Sequence, residues 1–265
     1  MKKLLVFDLD GTLLNGEGKV SKKMSNFLSS LKAQDYGIAI ATGRCLVSAL
    51  SATDGAPFAS YIVTDSGCGI YNTINMLPIY EKTVKIPDIE KILDRFDDTC
   101  RFIDLCNKDF IYKLSYEEPT NDFTRQSTDR EYILNNAKNV THVTLRMKYN
   151  DVEELKAELE KELPNLNIAI MQDSFCDDRW LEISYKDITK YNTVSLLSEA
   201  LQLTNDDIIA FGDALNDIEM LSESGVGVAM ENALPEVKEV ANYITLKSNE
   251  EDGIIDFLKV YLNIE

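Results

Sequence analysis

The sequence predicts an α/β protein: a doubly wound, Rossmann-like parallel sheet with a second, α+β domain inserted into it. Three observations predict it. Near both ends of the chain, short runs of Val, Ile, Leu and Ala alternate with helical patterns, as in a parallel sheet covered on both faces. The middle carries strand-like segments of alternating polarity around a charged helix, the pattern of a half-exposed sheet. Polar and acidic residues follow several of the end-region strands, where open parallel sheets place their ligands.

Taken in order, "KLLVFDLD" (3–10) reads as a buried strand and "SKKMSNFLSSLKAQ" (21–34) as an amphipathic helix starting at Ser21. After the turn at Asp35-Tyr36-Gly37 comes a second strand, "GIAIATGR" (37–44), then a helix, then a third strand, "SYIVTDSG" (60–67). The insert, 81–186, holds the strands "RFIDLC", "DFIYKLSY", "VTHVTLRMKY", "NLNIAIMQ" and "RWLEISY", with the helix "DVEELKAELEKEL" among them. The second part of the core, 187–265, opens with the helix of "DITKYNTVSLLSEALQL" and continues with the strands "DIIAFGDA", "GVGVAM" and "NYITL". Helices "DIEMLSESG" and "ALPEVKEVA" separate them, and 1–80 is the first part of the core.

Composition limits the function. With 265 residues, 45% of them hydrophobic, the chain can bury one large core or two unequal ones. A net charge of −18 argues against nucleic acid and anionic membranes, both of which are held by Lys and Arg. No stretch approaches the roughly 18 apolar residues of a membrane span, and the apolar run after "MKK" is too short for a signal peptide, so a cytoplasmic protein is expected. Five scattered cysteines fit reduced packing residues. A single histidine, His142, read as structural, and the lack of any CxxC argue against zinc. "GVGVAM" lacks the spacing of a dinucleotide fingerprint.

The chemistry concentrates at the strand ends. Asp8 and Asp10 stand two apart after the first strand, where like charges repel and need compensation. Thr42 and Arg44 follow the second strand, Asp65 and Ser66 the third, and Asp213, Asn216 and Asp217 the strand "IIAFG". Lys190 opens the helix returning to the sheet and offers a cation at the same edge. An acidic site that handles an anionic substrate also calls for a divalent metal, with oxygen ligands only.

"DLDGTLL" (8–14), "ATGR" (41–44), Lys190 and "GDALND" (212–217) resemble, in order and spacing, the four motifs of the haloacid dehalogenase superfamily of phosphatases. The inserted middle and the tail "AMENALPEVKEVANYIT…SNEEDGI" look like its Cof-type branch of sugar-phosphate phosphatases, whose cap is of type IIB. The resemblance implies an aspartyl-phosphate mechanism with Asp8 as nucleophile and Asp10 as general acid and base. It implies Mg²⁺ held by Asp8, Asp213 and the backbone carbonyl of Asp10, with Asp217 supporting the metal waters or Lys190 from behind. Thr42, Gly43, Lys190 and Asn216 would hold the substrate phosphate. The chain departs from the family pattern at Ser66-Gly67-Cys68, Lys190-Tyr191 and Met230-Glu231-Asn232-Ala233. None of these removes a catalytic group.

The implied substrate is a small phosphorylated metabolite, such as a sugar phosphate. A phosphotransferase or mutase of the same superfamily would carry the same motifs, and a non-catalytic sensor of phosphorylated ligands would keep the acidic pocket. In "HVTLRMKYN", Val143, Leu145 and Met147 alternate with Thr144, Arg146 and Lys148. A strand there presents a hydroxyl and two cations on one face, which makes Arg146 and Lys148 candidate specificity residues of the cap, against the alternative of a solvated sheet face.

Overall fold

The computed structural model describes residues 1–96, 100–117, 121–147, 152–172 and 179–264. The chain divides into two compact units. The first comprises Met1–Arg44, Ser48–Tyr80 and Thr189–Glu265; the second comprises Cys45–Val47 and Glu81–Ile188. Strands are numbered in chain order: β1 (Leu4–Phe7), β2 (Gly37–Ala41), β3 (Tyr61–Thr64), β4 (Gly69–Asn72), β5 (Pro78–Glu81), β6 (Cys100–Cys106) and β7 (Ile111–Ser115). Then come β8 (Thr124–Ser127), β9 (His142–Met147), β10 (Leu166–Gln172), β11 (Arg179–Tyr185), β12 (Ile208–Gly212), β13 (Val226–Ala229) and β14 (Tyr243–Ile244).

The first unit is built on a sheet of order β14-β13-β12-β1-β2-β3-β4-β5. β1 lies between β12 and β2, parallel to both, with Leu4 opposite Ile208 and Gly37. Its four residues are fully buried, which is why the run is continuously apolar rather than alternating. The chain winds from β1 out through β2 and β3, then returns on the other side at β12. The order therefore switches beside β1, and the carboxyl ends of β1 and β12 face the resulting crevice. Phe7 stacks on Phe211 across that pair at 5.0 Å between ring centroids.

The flanking helices begin where the sequence signals them. Ser21 caps Lys22–Ala33 by accepting the Met24 N–H, and Thr189 caps Lys190–Ala200 by accepting the Asn192 N–H. The sheet is not wholly parallel. β4 runs antiparallel to β3, and neither β4 nor β5 is signalled by a continuous apolar run. "NYITL" contributes only the two-residue edge strand β14, half-exposed at both positions.

The second unit has a sheet of order β10-β11-β9-β6-β7-β8. Its pairs are antiparallel except β7 with β8. Ile103, Leu105, Leu114, Val143, Leu145, Leu181 and Ile183 cluster with Ile89, Ile92, Ile133, Val152 and Leu159 of the helices Ile86–Leu93, Arg130–Asn136 and Val152–Glu162. The first two helices and β8 go beyond the sequence expectation. Among the described residues, no helix is long and apolar enough to cross a membrane. Cys45, Cys68, Cys100 and Cys106 are buried thiols, while Cys176 lies outside the described residues.

Candidate active site

Asp8 continues the β1 ladder by donating its N–H to the Phe211 carbonyl at 3.0 Å. The chain then makes a single wide turn, Leu9–Leu13, closed by the Leu14 N–H on the Leu9 carbonyl and broken at Gly11 with φ of 78°. A Cβ at Gly11 would stand 2.2 Å from Asp213 Oδ2, so the turn requires glycine twice over, for conformation and for space. Through that close approach the β1 turn and the end of β12 form one wall.

Lys190 is 3% exposed. As the first residue of its helix it carries a positive charge where the helix dipole is already positive, so its position needs strong compensation. Two carboxylates supply it: Nζ donates to Asp8 Oδ1 at 2.6 Å and to Asp217 Oδ1 at 2.8 Å. The other Asp217 oxygen accepts the N–H groups of Asp213 and Ala214, both at 3.1 Å, which fixes the turn after β12. Asp213 Oδ1 accepts from the Thr12 hydroxyl at 2.8 Å.

Oxygens of Asp8, Asp213 and Asp217 lie within 4.8 Å of one another. Three carboxylates share one ammonium there, an excess of two negative charges. Burial pushes the Asp8 carboxyl well above the usual carboxylate range; Lys190 opposes the shift, and Asp217 and Asp213 add to it. Burial likewise raises Asp213 to about 6, against the Thr12 hydrogen bond and with help from Asp217. For Lys190, burial works against the charged form, but Asp8 and Asp217 outweigh it and hold the ammonium protonated. An all-oxygen donor set with two uncompensated charges fits a hard divalent cation.

The model of the haloacid dehalogenase-like hydrolase family matches residues 5–258. The chain belongs to this family. One relative in it, 5-amino-6-(5-phospho-D-ribitylamino)uracil phosphatase YcsE of Bacillus subtilis, is 29% identical over 253 residues, 95% of this chain and 92% of its own. A haloacid dehalogenase-like hydrolase from Bacteroides thetaiotaomicron has the same fold, with a TM-score of 0.83 at 24% identity, covering 98% of this chain and 100% of its own. A subclass IIB sugar phosphatase of the superfamily superposes with a TM-score of 0.74 at 23% identity, over 99% and 100% of the two chains.

Of the residues singled out in the sequence of this hydrolase, the structure gathers Asp8, Lys190, Asp213 and Asp217 into one hydrogen-bonded cluster. Thr42 is buried one strand over, its hydroxyl accepting the Arg44 N–H at 3.1 Å. Gly43, half-buried, faces Ser66, whose Oγ would lie 3.4 Å from a Cβ there. Asn216 is exposed on the short turn after β12.

Asp10 differs most from expectation. Both aspartates follow the first strand, but Asp8 is buried whereas Asp10 has a 58% exposed side chain. Its carboxylate forms a two-pronged pair with Arg44, Nε on Oδ2 at 2.8 Å and Nη2 on Oδ1 at 2.6 Å. In the second unit Arg146 is half-buried, its guanidinium 5.1 Å from the Trp180 ring centroid. Lys148 lies outside the described residues. Sequence reasoning assigned no part to Thr12, or to Asn232, whose side-chain amide donates to the Gly11 carbonyl at 2.8 Å. Their signal is position alone, one inside "DGT" and one in "MENA".

Proposed function

We propose that this hydrolase cleaves small phosphomonoesters, sugar and polyol phosphates among them, through a covalent aspartyl-phosphate on Asp8. One observation carries the reading: a buried carboxylate at the end of the central strand, held by a lysine that is itself anchored to a second buried carboxylate. Lys190 keeps one Asp8 oxygen fixed, which leaves the other to attack phosphorus in line. The bond from phosphorus to the leaving oxygen breaks as Asp10 gives that oxygen a proton. Asp10 then takes a proton from the water that cleaves the acyl phosphate and regenerates Asp8.

Thr42, Gly43, Lys190 and Asn216 orient the phosphoryl oxygens. Asp8, Asp213 and the Asp10 backbone carbonyl would hold Mg²⁺, with Asp217 fixing the Asp213 backbone behind them. The ion, when bound, neutralises charge on the phosphoryl oxygens and on Asp8. Residues 1–80 and 187–265 form the catalytic core in this reading. Residues 81–186 form the cap, where Arg146 and Lys148 discriminate among leaving groups.

The name of the Bacillus subtilis relative, a phosphatase of a phosphorylated ribitylamino compound, supports a small phosphorylated metabolite as substrate. The test is phosphate release from a panel of phosphorylated sugars, polyols and nucleotides with Mg²⁺. Turnover of some members is expected, abolished by Asp8→Asn. Absence of release from every member would overturn the reading.

A further inference from the structure

The Arg44–Asp10 pair has a consequence for the order of events. Both Asp10 oxygens accept from one guanidinium. An oxygen so engaged faces Arg44 rather than a leaving group, so Asp10 has to change partners before it can serve one. The backbone beneath Arg44 is pinned: Thr42 and Arg44 carbonyls accept the N–H groups of Ser66 and Asp65 at 3.1 and 3.0 Å, from two successive residues with φ of 54° and 53°. The Arg44 side chain is 32% exposed, so it is the part able to move. A planar, two-pronged guanidinium matches phosphate oxygens as well as it matches a carboxylate.

We infer that Arg44 is a positioning residue that holds Asp10 in the substrate-free enzyme and exchanges it for the phosphoryl group of an arriving substrate, releasing Asp10 toward the leaving oxygen. The inference rests on the proposed phosphatase activity. Substrate and Asp10 thus compete for one cation, and the proton-transferring group is delivered only when the phosphate is in place.

A double-mutant cycle on binding of inorganic phosphate tests the exchange, measured by calorimetry with Mg²⁺ present. Asp10→Asn removes the competitor for Arg44 and should tighten phosphate binding about two- to fivefold, the range an exposed ion pair carries. In the Arg44→Gln background that gain should vanish, because no exchange is left to relieve. Simple repulsion between Asp10 and phosphate would give the same gain in both backgrounds and overturn the inference while leaving the phosphatase reading intact. Failure of the unaltered protein to bind phosphate would remove both. Arg44→Lys, which keeps the charge without the fork, repeats the cycle if Arg44→Gln melts early. Its gain should be smaller than in the unaltered protein, and an undiminished gain would overturn the exchange.

Discussion

At the residue scale the cluster is a balance of buried charge, and two substitutions read its two sides. Asp8→Asn should keep the fold, since an amide still accepts from Lys190, yet lower phosphate release by several orders of magnitude because an amide is a very poor nucleophile. Retention of more than a few per cent of turnover would take Asp8 out of that role. Lys190→Met does the opposite: it leaves two buried carboxylates without a cation. Breaking a buried pair in this way costs about 3–5 kcal/mol near neutral pH. That cost should shrink on acidification, because a protonated carboxyl needs no counter-charge; denaturant melts at pH 7 and pH 5 measure it. Lys190 is also where sequence reading reached its limit. A lysine at a helix start is ordinarily solvated; its place in the chain suggests a cation at the sheet edge, but its role rests almost wholly on the family resemblance. What buries it is tertiary: carboxylates 182 and 27 residues away. The Arg44–Asp10 pair, 34 residues apart, was hidden for the same reason.

At the element scale, the strands buried on both faces were the most legible, because β1, β2 and β12 have no polar residue to interrupt them and β3 has Thr64 only at its end. Their carboxyl ends brought the acidic residues with them. What escaped was short or polar. β8, "TRQS", has no apolar run, and β5 begins with a proline that suits only an edge. The helix Ile86–Leu93 did carry a signal, a proline in its first turn and apolar residues at 89, 92 and 93. The Leu9–Leu13 turn yields a sharp prediction. Gly11→Ala forces a Cβ against Asp213 and strains the left-handed backbone, costing about 1–3 kcal/mol, and it should raise the Mg²⁺ concentration needed for half-maximal turnover. An unchanged metal requirement would show that Asp213 is not displaced.

The β6 strand carries a second prediction. Burial raises the Asp104 carboxyl to about 6, above its ordinary value of 3.8, with Lys113, 3.5 Å away, opposing the shift. The folded state therefore holds this proton where the unfolded chain has lost it, so the group's contribution to stability falls as pH rises from about 4 to about 6. Asp104→Asn should accordingly melt about 1–3 kcal/mol more stably than the parent above pH 7, with the difference disappearing near pH 4. Equal pH profiles for the two proteins would show that Lys113 fully compensates the carboxylate.

At the scale of the whole molecule the acidity is uneven. Residues 187–265 carry 16 acidic and 4 basic side chains, against 6 and 7 in residues 1–80. Any salt screens that general repulsion, whereas the Asp8–Asp213–Asp217 cluster is buried and screened far less. The two effects separate in one experiment. Mg²⁺ at a hundredfold excess over its dissociation constant should stabilise the folded protein by about 2.7 kcal/mol, a rise of several degrees in Tm beyond that given by NaCl at equal ionic strength. The stabilisation belongs to the unit that holds the cluster, so if the two units melt separately, only the transition of Met1–Arg44, Ser48–Tyr80 and Thr189–Glu265 should move. Asp213→Asn removes one charge from the cluster but leaves the surface charge almost unchanged. It should abolish the specific rise while keeping the response to NaCl. A Mg²⁺ shift that survives Asp213→Asn, or that NaCl reproduces, would assign the effect to surface screening and leave the cluster without a metal.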